Sequence, residues 1–120
     1  MAHTIEMGND GVVRTAFIGD MTEQGVNALA EDAQPFLEAS SAKKPTPVLH
    51  DSSRSGKYTS RARKAILAFF SDPRIGKIAV IGARPYTRVL LSFLIKASGR
   101  ENMRLFGTEP EALAWLQSAD

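Results

Sequence analysis

The sequence predicts an α/β fold, with a mixed, mainly parallel sheet of about five strands and about four helices. Three observations predict it. β-Branched and apolar runs alternate with segments whose apolar residues recur at helical spacing. The first two runs flank Gly8-Asn9-Asp10-Gly11, a hairpin signal. Each later run leads into a helical segment, so right-handed crossovers and parallel pairing follow. The chain has 120 residues, 43% hydrophobic and 23% charged, which suits one domain over residues 1–120.

Residues 5–7 read as a short first strand and residues 12–18 as the second, rich in β-branched and aromatic side chains. Asp20 or Thr22 can cap the helix that carries Val26, Leu29, Ala30, Ala33 and Leu37. Pro35 should kink or shorten that helix. Residues 40–47 form a polar loop punctuated by Pro45 and Pro47, and strand three covers residues 48–51. A second helix over roughly residues 59–71 should bury Ala62, Ala65, Ile66 and Phe69, and Asp72-Pro73 stops it. Residues 77–82 are apolar enough for a strand buried on both faces.

Pro85 suits the first turn of a third helix over about residues 86–97, and Gly99 suits its C-terminal cap. That helix is apolar nearly all round. With Val89, Leu90, Phe93, Leu94 and Ala97 in the core, Leu91 and Ile95 remain on another face. In so small a domain this implies a homodimer contact or a lipid-facing groove, if close packing against a neighbouring helix does not cover it. Residues 103–106 are the last strand. Thr108-Glu109-Pro110-Glu111 is a capping box for a final helix carrying Ala112, Leu113, Trp115 and Leu116.

Charge is segregated. Residues 1–42 carry one Arg against seven acids, whereas residues 43–100 carry thirteen Lys or Arg against Asp51 and Asp72. Such separation makes a local field that attracts anions, beside the plainer reading of solvated helix faces. There is no cysteine, so disulfides and thiolate metal sites are excluded. His3 and His50 make a poor metal pair, and no cofactor is expected. The apolar stretches fall far short of the ~20 residues of a membrane span. No secretory leader pattern is present, so a cytoplasmic and bacterial protein is expected. The basic residues cluster without a helix-turn-helix or stacking platform, so nucleic acid is not an expected partner.

The chemistry-bearing stretch is Asp51-Ser52-Ser53 at the end of strand three. In open α/β sheets, ligands gather beyond the carboxyl ends of the strands. Gly82-Ala83-Arg84 ends the next strand, so both turns should share a rim. The second helix should aim its N–H groups there, favouring an anion. Asp51, Arg54, Lys57 and Arg84 are the candidate anion-binding residues, and Tyr58 and Tyr86 can flank a ligand. Short hydroxyls also serve as ordinary turn and cap residues. The sequence carries no nucleophile elbow, phosphate loop or dinucleotide fingerprint. A non-enzymatic protein is therefore expected.

Asp51-Ser52-Ser53 before a helix, Ile78-Ala79-Val80-Ile81-Gly82, and the ending from Phe106 through Glu111-Ala112 to Trp115-Leu116 together resemble the STAS domain family, in its SpoIIAA-like (STAS/SEC14-type) branch. The resemblance covers about residues 12–116. It implies a sheet with helices mostly on one face. In the family's anti-anti-sigma members the second serine is the phosphoacceptor, here Ser53, with Ser52 as its neighbour and second candidate. Their partners are a serine kinase of anti-sigma type and a phosphatase. This chain departs from the family by having Arg54-Ser55-Gly56 where Gly then Leu-Gly is usual. The resemblance thus implies a regulatory domain that binds a protein partner, switched by phosphorylation near Ser53. The alternative it leaves open is a carrier or sensor of a small apolar or anionic ligand, held at the rim and the third helix.

Overall fold

The computed structural model describes residues 3–41, 43–99 and 102–118. The chain runs β1 (His3–Met7), β2 (Val13–Phe17), β3 (Gly19–Met21), α1 (Glu23–Leu37), β4 (Thr46–Asp51), β5 (Ser55–Tyr58), α2 (Ser60–Phe70), β6 (Ile75–Ile81), α3 (Pro85–Ser98), β7 (Met103–Leu105) and α4 (Glu109–Leu116). The main sheet has five strands in the order β1-β2-β4-β6-β7. β1 pairs antiparallel to β2, and every other neighbour is parallel. This is the mixed, mainly parallel sheet with four helices that the sequence predicts.

The hairpin forms because Asp10 organises it. Its carboxylate accepts from the Val12 N–H at 3.1 Å and pairs with Arg14 at 2.9 Å. Thr22 caps α1, its hydroxyl accepting from the Gly25 N–H at 3.2 Å. The helix passes through Pro35 and ends two residues beyond it. Pro35 has no N–H to give to the Glu31 carbonyl, so the last turn of α1 lacks one rung of its ladder.

β4 begins at Thr46, so Pro47, expected in the loop, lies in the strand. The pairing of β4 with β6 shifts register between Thr46 and Val48. A proline cannot donate to a ladder, and a register irregularity is where a central strand tolerates one. β6 starts at Ile75, two residues before the expected start.

Alternation along the strands divides two cores. Val48, Ile78 and Val80 face α1, α2 and α3, where Phe17, Leu29, Ile66, Leu90 and Leu94 complete the larger layer. Leu49 and Ala79 face the other way, onto Ala112 and Leu116 of α4. β6 is thus covered on both faces, and three of the four helices share one side.

Two burial expectations need correction. α2 buries Ala62, Ile66 and Phe70, while Ala65 and Phe69 are only partly buried. α3 buries Thr87, Leu90, Leu91 and Leu94, and leaves Val89, Phe93 and Ala97 exposed. Arg88, Ser92 and Lys96 form a polar stripe along one side of α3, and the sheet takes the Leu-rich side opposite it, leaving Val89 and Phe93 beside the stripe.

β3 and β5 form a separate two-stranded parallel sheet that the sequence reading missed. Residues 55–58, between the expected third strand and the expected second helix, form β5.

Candidate functional site

β4 and β6 are neighbours, and Asp51 pairs with Ile81 at their carboxyl ends. The turns that follow therefore meet on one rim. The Ser52 N–H donates to the Ile81 carbonyl at 2.9 Å, which extends the pairing one residue past the strand. Asp51 Oδ1 then accepts from the Ser53 N–H at 2.8 Å. A short carboxylate reaching two residues ahead is an Asx turn, and it fixes the direction of Ser53. The Ser55 N–H and hydroxyl both donate to the Ser52 carbonyl, at 3.2 and 2.9 Å. Arg84 Nη2 donates to the Ser53 carbonyl at 3.0 Å.

Gly82 makes this closeness possible. Its φ is +72°, and an added Cβ would stand 2.8 Å from both Asp51 Oδ1 and Ser53 Cβ. Both the backbone conformation and the space demand glycine.

The two serines have opposite fates. Ser52 is buried, and its hydroxyl makes no hydrogen bond of good geometry. Ser53 is exposed at the tip of the turn, as are Arg54 and Arg84. Asp51 is half-buried.

Of the other candidates, Lys57 is exposed on β5, where its N–H donates to Asp20 Oδ1 at 2.8 Å. Tyr58 turns into the core, edge-on to Phe17 with ring centroids 6.2 Å apart. Burial pushes its phenol pKa up, partly offset by the hydroxyls of Ser55 and Ser52. Tyr86 is exposed on α3, beside Arg63 of α2. The rim thus gathers Asp51, Ser53, Arg54 and Arg84, with Tyr58 buried behind Ser52 and Ser55 and Tyr86 exposed on α3.

The expectation for α2 fails. Its N-cap is Thr59, one residue after β5, and its first turn lies beside that of α1, where Thr22, Glu23, Thr59 and Arg61 line one depression. Pairing of β5 with β3 carries the chain away from the rim before the helix begins. The rim's positive charge comes from side chains instead of that helix dipole.

A shallow groove of about 180 Å³ opens on the sheet face that α4 leaves uncovered, lined by Glu6, Arg14, Asp51, Arg54 and Glu109 among others. Asp51 and Arg54 join this groove to the rim. Glu6, Arg14 and Glu109 were not singled out in the sequence. The available signal was alternation, since Thr4 and Glu6 stand on one side of β1 and Ile5 on the other. Arg14 also draws the Asp10 carboxyl pKa down to about 2.

Behind the rim, His50 is buried at the centre of the sheet. Its Nδ1 and the Thr15 hydroxyl are 2.7 Å apart, and its Nε2 has no hydrogen-bond partner. Burial lowers its pKa to about 4, against a weak opposing pull from Asp51. It is a neutral core residue that packs edge-on to Phe17.

A five-stranded mixed sheet with an Asp-Ser-Ser turn beyond its central strand, three helices on one face and one on the other, defines a STAS-type α/β domain. The SpoIIAA-like family profile matches residues 12–117, and the chain belongs to that family. No curated protein sequence matches the chain. Solved structures share its fold. An anti-sigma factor antagonist from Mycobacterium paratuberculosis superposes with a TM-score of 0.67 at 21% identity, over 97% of this chain and 95% of that one. The anti-sigma factor antagonist SpoIIAA in its unphosphorylated form gives 0.68 at 16% identity, over 98% and 99%. A protein with a SpoIIAA-like fold from Shewanella loihica gives 0.66 at 21% identity, over 96% and 92%. No helix among the described residues is long and apolar enough to cross a membrane.

Proposed function

We propose that the chain is a non-enzymatic regulatory domain that binds a protein partner at the turn of residues 51–54, with Ser53 as the phosphoacceptor that switches it. One observation carries this reading: of the two adjacent serines, Ser52 is buried and Ser53 is exposed on a turn fixed by Asp51 and Arg84. A kinase needs an accessible hydroxyl, and a switch needs a turn whose geometry responds to charge. A phosphate on Ser53 would add roughly −1.5 to −2 charges. It would stand close to the Asp51 carboxylate and within reach of the exposed cations Arg54 and Arg84. Repulsion from the first and attraction to the others would re-form the turn that a partner reads. The fold shared with two anti-sigma factor antagonists supports a partner of regulatory type.

The test is intact mass by denaturing and native electrospray, on protein isolated from its own host. One added phosphate, absent from Ser53→Ala, supports the switch. A partner retained by Ser53→Ala and released by Ser53→Asp supports the binding surface. An unmodified chain that carries extra mass only in the native spectrum overturns the switch. That outcome favours the second reading, a small apolar or anionic ligand, which the open troughs beside α3 support.

A further inference from the structure

Large apolar side chains are exposed at four described positions: Met7 (45%), Tyr86 (52%), Val89 (58%) and Phe93 (69%). Three of them lie on α3, spaced i, i+3 and i+7, so they form one stripe along the helix. The stripe adds nothing to the core, which α3 meets with Leu90, Leu91 and Leu94. Val89 and Phe93 make a ridge with open space on both sides. One trough, of about 470 Å³, runs between α2 and α3 past Arg63, Tyr86 and Phe93. The other, of about 320 Å³, runs past Arg88, Ser92 and Lys96.

The charge around the ridge has a single sign. α2 and α3 carry Arg61, Arg63, Lys64, Arg88 and Lys96 and no carboxylate. Arg63, Arg88 and Lys96, which line the troughs, form no ion pair among the described residues. Arg63 reaches the Tyr86 hydroxyl at 3.5 Å, the outer limit of a hydrogen bond, and its Nε is buried with no hydrogen-bond partner. The α2–α3 trough therefore holds a cation with no carboxylate partner among the described residues.

We propose that this face docks an acidic amphipathic helix of a partner protein. Its apolar side chains straddle the Val89–Phe93 ridge, and its carboxylates reach Arg63 on one side and Arg88 and Lys96 on the other. Ridge-into-groove packing fits a helix to such a surface. A second copy of this chain fits poorly, because an isologous contact would oppose like charges. A flat anionic bilayer would touch the ridge and leave both troughs unfilled. The inference rests on the protein-binding reading above, and it does not require Ser53 to be phosphorylated.

The experiment selects a phage-displayed library of helical peptides on the full chain, with counter-selection on Phe93→Ser. Phe93 is exposed, so the variant should keep the wild-type melting temperature. Selected peptides are expected to carry apolar residues at i, i+3 or i+4 and i+7, flanked by Asp and Glu. Their affinity should fall at least ~10-fold on Phe93→Ser, as expected for the loss of one buried aromatic side chain. The double variant Arg88→Glu, Lys96→Glu should reject them, and Ser53→Ala should bind them unchanged. Peptides rich in Lys and Arg, or peptides that bind Phe93→Ser equally well, would overturn the proposal. So would Phe93-dependent sedimentation with phosphatidylglycerol vesicles, or a dimer lost in Phe93→Ser, where no acidic peptide is selected. Loss of the Ser53 switch with these peptides still bound would overturn the earlier reading alone.

Discussion

Arg84, at the start of α3, donates to the carbonyl of Ser53, and Ser53 is itself held by Asp51. One guanidinium thus ties the turn after β6 to the turn after β4. The bond is exposed, so its loss should change global stability by no more than about 1 kcal/mol. Arg84→Gln should instead speed hydrogen exchange at the amides of Ser53, Arg54 and Ser55. Unchanged exchange there would show that Asp51 holds the turn alone.

Gly82 and Gly99 form a natural comparison. Both have positive φ, +72° and +69°, but an added Cβ meets nothing within 4 Å at Gly99 and crowds Asp51 and Ser53 at Gly82. Gly99→Ala should cost about 1 kcal/mol, from backbone strain alone. Gly82→Ala should cost about 2–4 kcal/mol, because steric conflict adds to strain. Urea denaturation measures both. Equal costs would mean that the two rim turns do not approach each other this closely.

His50 makes stability depend on pH. Its folded pKa lies near 4, below its ordinary value of about 6.5. Between those values the unfolded chain binds the proton and the folded chain does not. Stability should therefore fall as pH drops from about 6.5 to about 4, by on the order of 3 kcal/mol. His50→Gln should flatten that slope in denaturation curves taken across the range. A slope unchanged by the substitution would show that His50 is not the group that sets it.

Lys77 anchors the end of α4. Its ammonium donates to the Trp115 carbonyl at 2.9 Å and to Ser118, and it lies 5.2 Å from the Trp115 ring centroid. Lys77→Met should cost about 1–2 kcal/mol, since charged donors make the stronger hydrogen bonds. It should also shift the emission of Trp115, the chain's one tryptophan. An unshifted spectrum would place the ring outside this contact.

The elements legible in the sequence are those with local chemistry. Asp10 and Gly11 mark the hairpin, Thr22 and Thr108 cap helices, and the pattern of residues 78–82 reads as a buried strand. The rim was legible through topology, because consecutive parallel strands place Asp51 and Gly82 side by side. β3 and β5 were not, since each is only three or four residues long and pairs with a partner more than thirty positions away. Hence the direction of α2 was misread, and so was the fate of Tyr58. The face of α3 was misassigned although the stripe of Arg88, Ser92 and Lys96 marks its solvent side, because Val89 and Phe93 beside that stripe are as apolar as Leu90 and Leu94. Likewise Phe69 and Phe70 are adjacent and alike, and only the packing of α2 decides between them.

The two layers of the sheet are unequal. Among the described residues, nineteen buried apolar side chains fill one side, and five fill the other beneath α4, a helix of eight residues. The smaller layer is the weaker cooperative unit, so α4 can lift while the main body stays folded. Such an opening would bare Val12, Leu49 and Ala79 as a sticky floor between strands that are otherwise intact. The molecule's working lifetime under heat should then be set by how often this latch springs, well before the larger core melts. A chain shortened at its C-terminal helix would clump as a folded body and would not unravel.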